Sequence, residues 1–192
     1  MIEWSLDAFR ACESVHSIVV AAPPGHVGAL AGHPDLGVVS GGVTRAQSVA
    51  NALEAVGTEL VAIHDAARPL LTPELVEALV ADLDGNPDAA GVIAAAPVTD
   101  TIKQAGDTGV VEQTLDRSRL WAAQTPQVFR TDALRRALEV DAQARDTATD
   151  EASLVEAAGG TVLIHPTAAE NLKVTTQLDL QVAALVLEGR SR

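Results

Sequence analysis

Three short stretches of the chain consist of consecutive apolar residues that do not alternate with polar ones. They are residues 16–22 (HSIVVAA), 60–64 (LVAIH) and 91–97 (GVIAAAP), and Gly, Pro or Asp lies near each. Runs of this kind predict strands that are buried on both faces. Residues 38–40 predict the end of a further strand, just ahead of a glycine pair.

Segments with helical spacing separate these predicted strands. The clearest, residues 44–56, places four apolar side chains on one face: Ala46, Val49, Ala50 and Leu53. Thr44 and Gln47 predict a capping box at its start, and Thr72 followed by Pro73 predicts the start of a second helix. The same reasoning predicts helices over four more ranges: 4–12, 132–143, 150–158 and 177–188.

The alternation of strands and helices predicts an α/β domain with a doubly wound, Rossmann-like and mostly parallel sheet. Residues 98–120 interrupt the alternation, since threonines and valines surround a turn at residues 105–107. This pattern predicts a projecting β-hairpin arm rather than a second domain. We therefore expect residues 1–192 to form one domain that carries an arm at about 98–120.

The composition indicates a globular protein of the reducing interior of the cell. The 192 residues are 47% hydrophobic and 20% charged, which excludes the disordered and fibrous classes. Cys12 is the only cysteine and has no partner for an internal disulfide. No membrane-spanning segment or signal peptide is evident in the sequence, so we predict a cytoplasmic protein without a membrane partner.

The net charge restricts the choice of ligand. Thirteen Lys and Arg residues against 26 Asp and Glu residues give a formal charge of −13. A long polyanion would be repelled by this field, so no nucleic-acid partner is expected. A small phosphorylated ligand is still compatible, because a local pocket of cations and backbone N–H groups can reverse the sign of the potential.

A glycine pair lies between the strand end at 38–40 and the helix that starts near Thr44. Gly41 and Gly42 would let a ligand approach the backbone at a helix N-terminus, where a phosphate or a polar base edge is favoured. The alternative is a left-handed turn that serves only the fold.

The sharper candidate is residues 64–69 (HDAARP), which follow a strand where an open α/β sheet presents its ligands. Asp65 is placed to hold a divalent cation and Arg68 to bind a phosphate, while Ala66 leaves room for a ligand. The alternative is a surface ion pair that closes a loop. His64 is expected to be a half-buried, neutral imidazole and not a ligand.

Four further polar residues are weaker candidates on their sequence context alone. Arg117 and Thr125 supply hydrogen-bond donors where the arm rejoins the body, and Thr149 precedes a predicted helix N-terminus. Lys173 is a lone lysine in what we predict to be an apolar strand. It could neutralise a phosphorus transition state, or it could protect an edge strand from aggregation, and both interpretations stay open.

Six segments, taken together and in order, resemble the 2-C-methyl-D-erythritol 4-phosphate cytidylyltransferase family, and the resemblance covers nearly the whole chain. They are GGVTRAQSV at 41–49, VAIHDAARP at 61–69, APVTDTIK at 96–103, TLDRSRLWAAQTPQVF at 114–129, TDEAS at 149–153 and NLKVT at 171–175. Ribitol 5-phosphate cytidylyltransferases are similar in several of these segments, and remain an alternative.

The resemblance implies a nucleotidyltransferase of the non-mevalonate isoprenoid pathway that uses Mg²⁺. The phosphate of methylerythritol 4-phosphate would attack the α-phosphorus of CTP and release pyrophosphate. The resemblance also implies a homodimer in which each arm serves the partner's site. Its implied nucleotide contacts are Gly41, Gly42, Ser48, Asp65 and Ala66.

The remaining roles are likewise implied by the resemblance. Asp65 would help to hold Mg²⁺ or the hydroxyl groups of the erythritol and, with Lys173, would be catalytic. The sugar phosphate would be bound by Arg68, Thr125, Thr149 and Lys173 of one subunit, and by Thr101 and Arg117 of the other.

The sequence departs from the family at its N-terminus. Family members begin with a strand and a glycine-rich loop, followed by an Arg and a Pro-Lys-Gln segment, whereas residues 1–5 resemble the helix that comes after them. We therefore expect an N-terminally incomplete domain whose native start lies upstream. The alternative is a catalytically silent homologue that serves as a ligand-binding or dimerisation module.

Overall fold

Strands and helices alternate along the chain in the computed structural model, which describes residues 1–30, 32–139 and 147–190. The strands are β1 Ile18–Ala22, β2 Leu36–Ser40, β3 Leu60–Ile63, β4 Gly91–Pro97, β5 Lys103–Ala105, β6 Val111–Thr114, β7 Trp121–Arg130 and β8 Val162–Pro166. The helices are α1 Ile2–Arg10, α2 Arg45–Leu53, α3 Pro73–Asp84, α4 Thr131–Leu138, α5 Glu151–Ala157 and α6 Gln177–Arg190.

Side-chain caps fix the starts of three helices. The Thr44 hydroxyl accepts a hydrogen bond from the N–H of Gln47 at 3.2 Å, and Thr72 caps α3 in the same way ahead of Pro73. The Asp150 carboxylate caps α5 by accepting from the N–H of Ser153 at 3.0 Å. All six predicted helices are confirmed within a few residues, except that 140–143 of the predicted 132–143 helix lie outside the described residues.

The larger sheet has the strand order β3-β7-β4-β8. Strands β4 and β8 are parallel, whereas β7 runs antiparallel to both of its neighbours, so that β3, β4 and β8 share one direction. The arm explains the reversed strand, because the chain leaves the body after β4 and returns beside it without a helical crossover. The predicted α/β fold with a mostly parallel sheet is confirmed, with β7 as the exception.

Helices cover both faces of this sheet. On one face Ile93 and Phe129 pack in a core with residues of α2, α4 and α5. On the other face Val92 and Val128 pack against Leu79 and Leu83 of α3. Neighbouring residues of β4 and β7 therefore point into different cores, which is why these strands are apolar without alternation.

The arm is the hairpin that the sequence predicts. Strands β5 and β6 pair antiparallel, and the turn between them includes Gly109, whose φ of +76° favours glycine. Every residue of the two strands is exposed.

The strand predicted around Lys173 is wrong. Residues 171–176 form a loop, because their backbone groups bond to partners outside any sheet. The N–H of Val174 donates to the carbonyl of Ala67 at 2.8 Å, and the N–H groups of Thr175 and Thr176 donate to the Asp179 carboxylate. Strands β7 and β8, for which the sequence analysis makes no prediction, complete the sheet instead.

Strands β1 and β2 form a separate parallel pair, and an apolar cleft lies between β1 and β3. Within the described residues, β1 is bonded only to β2 and β3 only to β7. The cleft has a volume of about 450 Å³ and is lined mainly by side chains of β1, β3, α1, α2 and α3. Each of these two strands therefore has one edge open to the cleft. No helix in the described ranges is long and apolar enough to cross a membrane.

The open edges predict a specific pattern of amide hydrogen exchange. Alternate amides of β1 and β3 point away from their only partner strand, so we expect them to exchange much faster than those of β4, which is paired on both sides. Exchange resolved by residue with NMR measures this difference. Uniform protection along β1 and β3, equal to that of β4, would contradict the open cleft.

Candidate active site

Asp65 lies at the centre of a cluster of polar side chains just beyond the end of β3. Its Oδ1 accepts from Arg45 Nε at 3.1 Å and its Oδ2 accepts from Lys173 Nζ at 2.9 Å. Its backbone N–H donates to the hydroxyl of Thr125 in β7 at 3.0 Å. Two distant segments thus hold the carboxylate and a third holds the backbone of Asp65, whose side chain is only 16% exposed.

Arg45 is the first residue of α2 and bridges two carboxylates. Its Nε donates to Asp65, and its Nη1 donates to Glu151, the first residue of α5. The Glu151 side chain is 1% exposed, whereas that of Arg45 is 34% exposed. The starts of α2 and α5 are therefore joined by the Arg45–Glu151 pair, and Arg45 links both to Asp65.

Burial and pairing act in opposite directions on these carboxylates. Burial would raise the pKa of Asp65, but the bonds with Lys173 and Arg45 outweigh burial and leave that pKa below its ordinary value. For Glu151, burial dominates and raises the pKa, and Arg45 offsets the shift only in part. The pKa of Arg45 is raised, because its two carboxylates outweigh the effect of its own burial.

The loop at residues 171–174 aims Lys173 at Asp65. Asn171, which is buried, donates from its side chain to the carbonyl of Thr125 at 2.8 Å, and its own carbonyl accepts from Arg68 Nη1 at 2.8 Å. With the bond from the Val174 N–H to the Ala67 carbonyl, these contacts dock the loop onto the segment after β3. The position of Lys173 is therefore set by backbone contacts on both of its sides.

His64 links the segment after β3 to β7 through two hydrogen bonds of its ring. Its Nε2 lies 3.1 Å from the carbonyl of Arg68, which can only accept, so Nε2 carries the hydrogen and Nδ1 accepts from the Thr125 hydroxyl at 3.1 Å. The ring packs edge-on against Phe9 at a centroid distance of 5.6 Å. Burial lowers the pKa of His64 to about 4. The half-buried, neutral imidazole predicted from the sequence is confirmed.

The glycine pair is packed tightly against α2. Neither Gly41 nor Gly42 has a positive φ, so a left-handed turn is not the reason for glycine here. A Cβ on Gly42 would lie 2.3 Å from Cβ of Gln47, and one on Gly41 would lie 3.0 Å from the Ser48 hydroxyl. Ser48 accepts from the N–H of Gly42 at 3.0 Å and donates to the carbonyl of Thr44. Ser48 thus ties the turn to the helix.

Arg68 and Thr149 lie near this cluster in different settings. Arg68 has a buried Nε for which the described part of the chain provides no hydrogen-bond partner, and burial lowers the pKa of its guanidinium. Thr149 is exposed and precedes Asp150 and Glu151 at the start of α5, and Ala66 is exposed next to Asp65.

Thr101 and Arg117 are not brought to Asp65 within the chain. Both lie on the arm, where the side chain of Arg117 donates to the carbonyl of Thr99. The structure therefore assembles Asp65, Thr125 and Lys173 directly, with Arg68 joined to them through Asn171.

The sequence analysis missed three residues of the cluster: Arg45, Glu151 and Asn171. Each lies within a motif already singled out, namely residues 41–49, 149–153 and 171–175. Arg45 and Glu151 are 106 positions apart, so local spacing contains no signal that they pair.

The chain is similar to proteins of one known family over almost its whole length. The chain matches the family model of 2-C-methyl-D-erythritol 4-phosphate cytidylyltransferase over residues 1–189. The chain belongs to this family. The predicted family and the predicted nucleotidyltransferase type of enzyme are therefore confirmed.

Relatives of the same name match nearly the whole chain. The cytidylyltransferase of Symbiobacterium thermophilum is 45% identical over 96% of this chain and 79% of its own length. That of Tolumonas auensis is 39% identical over 98% of this chain and 84% of its own.

Solved structures agree in fold with this cytidylyltransferase chain. The Thermus thermophilus enzyme superposes with a TM-score of 0.82 and 31% identity over 97% of this chain and 88% of that one. The 4-diphosphocytidyl-2C-methyl-D-erythritol synthase of Anaerococcus prevotii gives 0.86 and 26% identity over 97% and 85%.

The residues around Asp65 fit Mg²⁺ only together with a phosphorylated substrate. In the described part of the chain, no three His, Cys, Asp or Glu side chains lie close enough to hold a metal ion. Nucleotide enzymes commonly bind Mg²⁺ through one or two carboxylates, with substrate phosphates and water as the other ligands. Asp65 can serve as that carboxylate, because each of its oxygens can accept a second bond.

The setting of His64 predicts a loss of stability in mild acid. Because the folded pKa of about 4 lies below the ordinary 6.5, protonation favours the unfolded state. The contribution of the neutral ring is present above pH 6.5 and is lost as the pH falls to 4, with a total of about 3 kcal/mol. Chemical denaturation at each pH should show this loss for the native chain and a much smaller one for His64→Gln.

The exposed His26 offers a matched control. His26→Gln should keep the pH profile of the native chain. Equal profiles for the native chain and His64→Gln between pH 6.5 and 4 would show that His64 is not held neutral by the fold.

Proposed function

We propose that this chain transfers the cytidylyl group of CTP to 2-C-methyl-D-erythritol 4-phosphate. A phosphate oxygen of methylerythritol phosphate forms a bond to the α-phosphorus of CTP, and the bond from that phosphorus to the bridging oxygen breaks. The products are 4-diphosphocytidyl-2-C-methyl-D-erythritol and pyrophosphate, which takes the electron pair of the broken bond. The family membership supports this assignment.

The observation that carries the proposal is the clustering of cationic side chains around Asp65. In a chain of net charge −13, three cationic side chains converge on one segment: Arg45 and Lys173 bind Asp65, and Arg68 lies three residues further on. Bringing two polyanions together requires such cations more than it requires a nucleophile or a proton relay.

The proposal assigns the phosphorus centre to Lys173 and Asp65. Lys173 is 45% exposed and can turn from Asp65 to a phosphate oxygen without leaving the site. There it would neutralise the charge that develops on the α-phosphorus in the transition state. Asp65 would hold Lys173 in the free chain and serve as the protein ligand of Mg²⁺, which supplies further positive charge to the phosphates when bound.

The two substrates are assigned to opposite sides of Asp65. The glycine turn with Ser48, and Ala66 beside the cleft, would contact the nucleotide of CTP. Arg68, Thr125 and Thr149 would bind the sugar phosphate. The buried Nε of Arg68 supports this assignment, since an anion would satisfy it.

The proposal includes a homodimer and a cytoplasmic location. The arm exposes Val110 and Val111, and an isolated two-stranded hairpin is marginally stable in water. Packing against a second copy would bury these valines and stabilise the hairpin. It would also bring Thr101 and Arg117 to the partner's site. The free, buried Cys12 suits a reducing compartment.

Pyrophosphate release tests the reaction. With CTP, methylerythritol 4-phosphate and Mg²⁺, we expect steady release that stops on addition of EDTA and is much slower with ribitol 5-phosphate. A higher kcat/KM for ribitol 5-phosphate would assign the chain to the other substrate. No release with either polyol phosphate would reject the proposed activity of this chain.

Mixed dimers test the assignment of Arg117. Lys173→Met should lower kcat by about 10²-fold, and Arg117→Gln should raise KM for the sugar phosphate, whereas Arg136→Met on the exposed face of α4 should do neither. Under conditions where both variants are nearly inactive, an equal mixture should recover about one quarter of the native rate, because half of the dimers are mixed and each of these has one intact site. No recovery after subunit exchange would place Arg117 in its own subunit's site or outside any site.

A further inference from the structure

Arg45 makes a contact pattern that the proposed chemistry does not explain. Both of its bonded partners are carboxylates, and they lie in different parts of the fold. Asp65 follows β3, and Glu151 is the first residue of α5. The proposed function counts Arg45 as one of three cations near Asp65 but assigns it no contact with a substrate. Its side chain is also shielded by its surroundings, with 34% exposed.

The second carboxylate, Glu151, is an unusual residue to find in a core. Its side chain is 1% exposed, its neighbours Ala152 and Val155 belong to the apolar core, and Arg45 is the cation that pairs with it in the described residues. Burying a carboxylate is costly even when it is paired, so a stable packing alone does not require Glu at this position. A buried partner does, however, fix the direction of a guanidinium, because the planar fork can bind only in a few orientations.

This orientation of the guanidinium brings Arg45 into contact with Asp65. With Nη1 bound to Glu151, the Nε of Arg45 lies 3.1 Å from Oδ1 of Asp65, and Oδ2 is left to Lys173. If Lys173 turns toward a phosphate, Arg45 still holds Asp65 in place. Lysine could not do this, because a single ammonium at the end of a flexible chain cannot span two carboxylates with a defined geometry.

We propose that Arg45, anchored by the buried Glu151, is a positioning residue that fixes the carboxylate of Asp65 for cytidylyl transfer. The pair also makes the glycine turn before α2 and the Thr149 segment before α5 move as one body with Asp65. This inference rests on the proposed function, since it assigns Arg45 and Glu151 to the support of that site.

Replacing Arg45 and Glu151 together, which leaves the net charge unchanged, separates an effect on catalysis from an effect on stability. Arg45→Gln alone leaves Glu151 buried and unpaired, so its Tm should fall by roughly 10 °C. Arg45→Gln with Glu151→Gln removes both charges and should recover most of that loss. The kcat of the double variant should nevertheless stay about 10²-fold below native, with KM for CTP little changed, because Asp65 is no longer held.

A purely structural role predicts the opposite result. In that case the double variant would regain kcat along with Tm, and the inference would be overturned. Arg45→Lys is a further test, because it keeps the positive charge but should still have a kcat well below that of the native chain. Full activity of Arg45→Lys would show that charge alone is sufficient.

Arg10 provides a matched control elsewhere in the chain. Like Arg45 it bridges two carboxylates, Asp7 and Asp35, but it does so on the surface of α1. Arg10→Gln should change neither kcat nor Tm appreciably.

A measurement of Tm, which needs no turnover, tests this inference independently of the proposed reaction. In the Glu151→Gln background, Arg45→Gln and Asp65→Asn should be coupled, so that their separate Tm shifts differ from the combined shift by about 2 °C or more. Additive shifts would overturn the positioning role whatever the activity. Coupled shifts in a chain that releases no pyrophosphate would reject the reaction and keep the contact.

Discussion

The position of the Asp65 carboxylate is the constraint on which the rest of the site depends. A half-buried carboxylate needs partners, because the protein interior solvates charge poorly. Here Arg45 of α2 and Lys173 of the loop before α6 bind the carboxylate, and the Thr125 hydroxyl of β7 accepts from the backbone N–H of Asp65, just after β3. The doubly wound fold satisfies this need because its loops meet at one edge of the sheet. The candidate site and the fold thus meet at one ion-paired side chain.

Such a site is already occupied by internal charges before a substrate arrives. Lys173 and Arg45 both lower the pKa of Asp65 against the effect of burial, so the carboxylate is ionised and held at neutral pH. In the proposed reaction, a phosphorylated substrate would compete with Asp65 for Lys173, and Mg²⁺ would share Asp65 with Arg45. Exchange of partners within a fixed network costs less reorganisation than creating the network on binding, which is the advantage of electrostatic preorganisation.

The local sequence pattern was sufficient to predict most helices and strands, but not the contacts between them. Caps at Thr44 and Thr72 and the apolar runs of β1, β3 and β4 were sufficient for those elements, and the ordered motifs were sufficient for the family. Strand β7 carries Pro126 at its centre, where the pairing with β4 shifts register, and a proline there argues against a strand on local grounds. The Arg45–Glu151 pair and the docking of Asn171 on Thr125 join residues far apart in sequence, and a single sequence contains no local signal for such contacts.

The open edge of β3 explains why Asp65 needs so many side-chain contacts. In the described chain β3 is bonded on one side only, and the cleft reaches His64 and Ala66, which flank Asp65. A strand held at one edge has weaker local stability than one inside a sheet. The Thr125 hydroxyl, which binds both the N–H of Asp65 and the His64 ring, ties the end of β3 to β7 beyond the last ladder bond. Arg45 and Lys173 then fix the side chain itself, so the geometry of the site is set by tertiary contacts where the sheet provides support from one side.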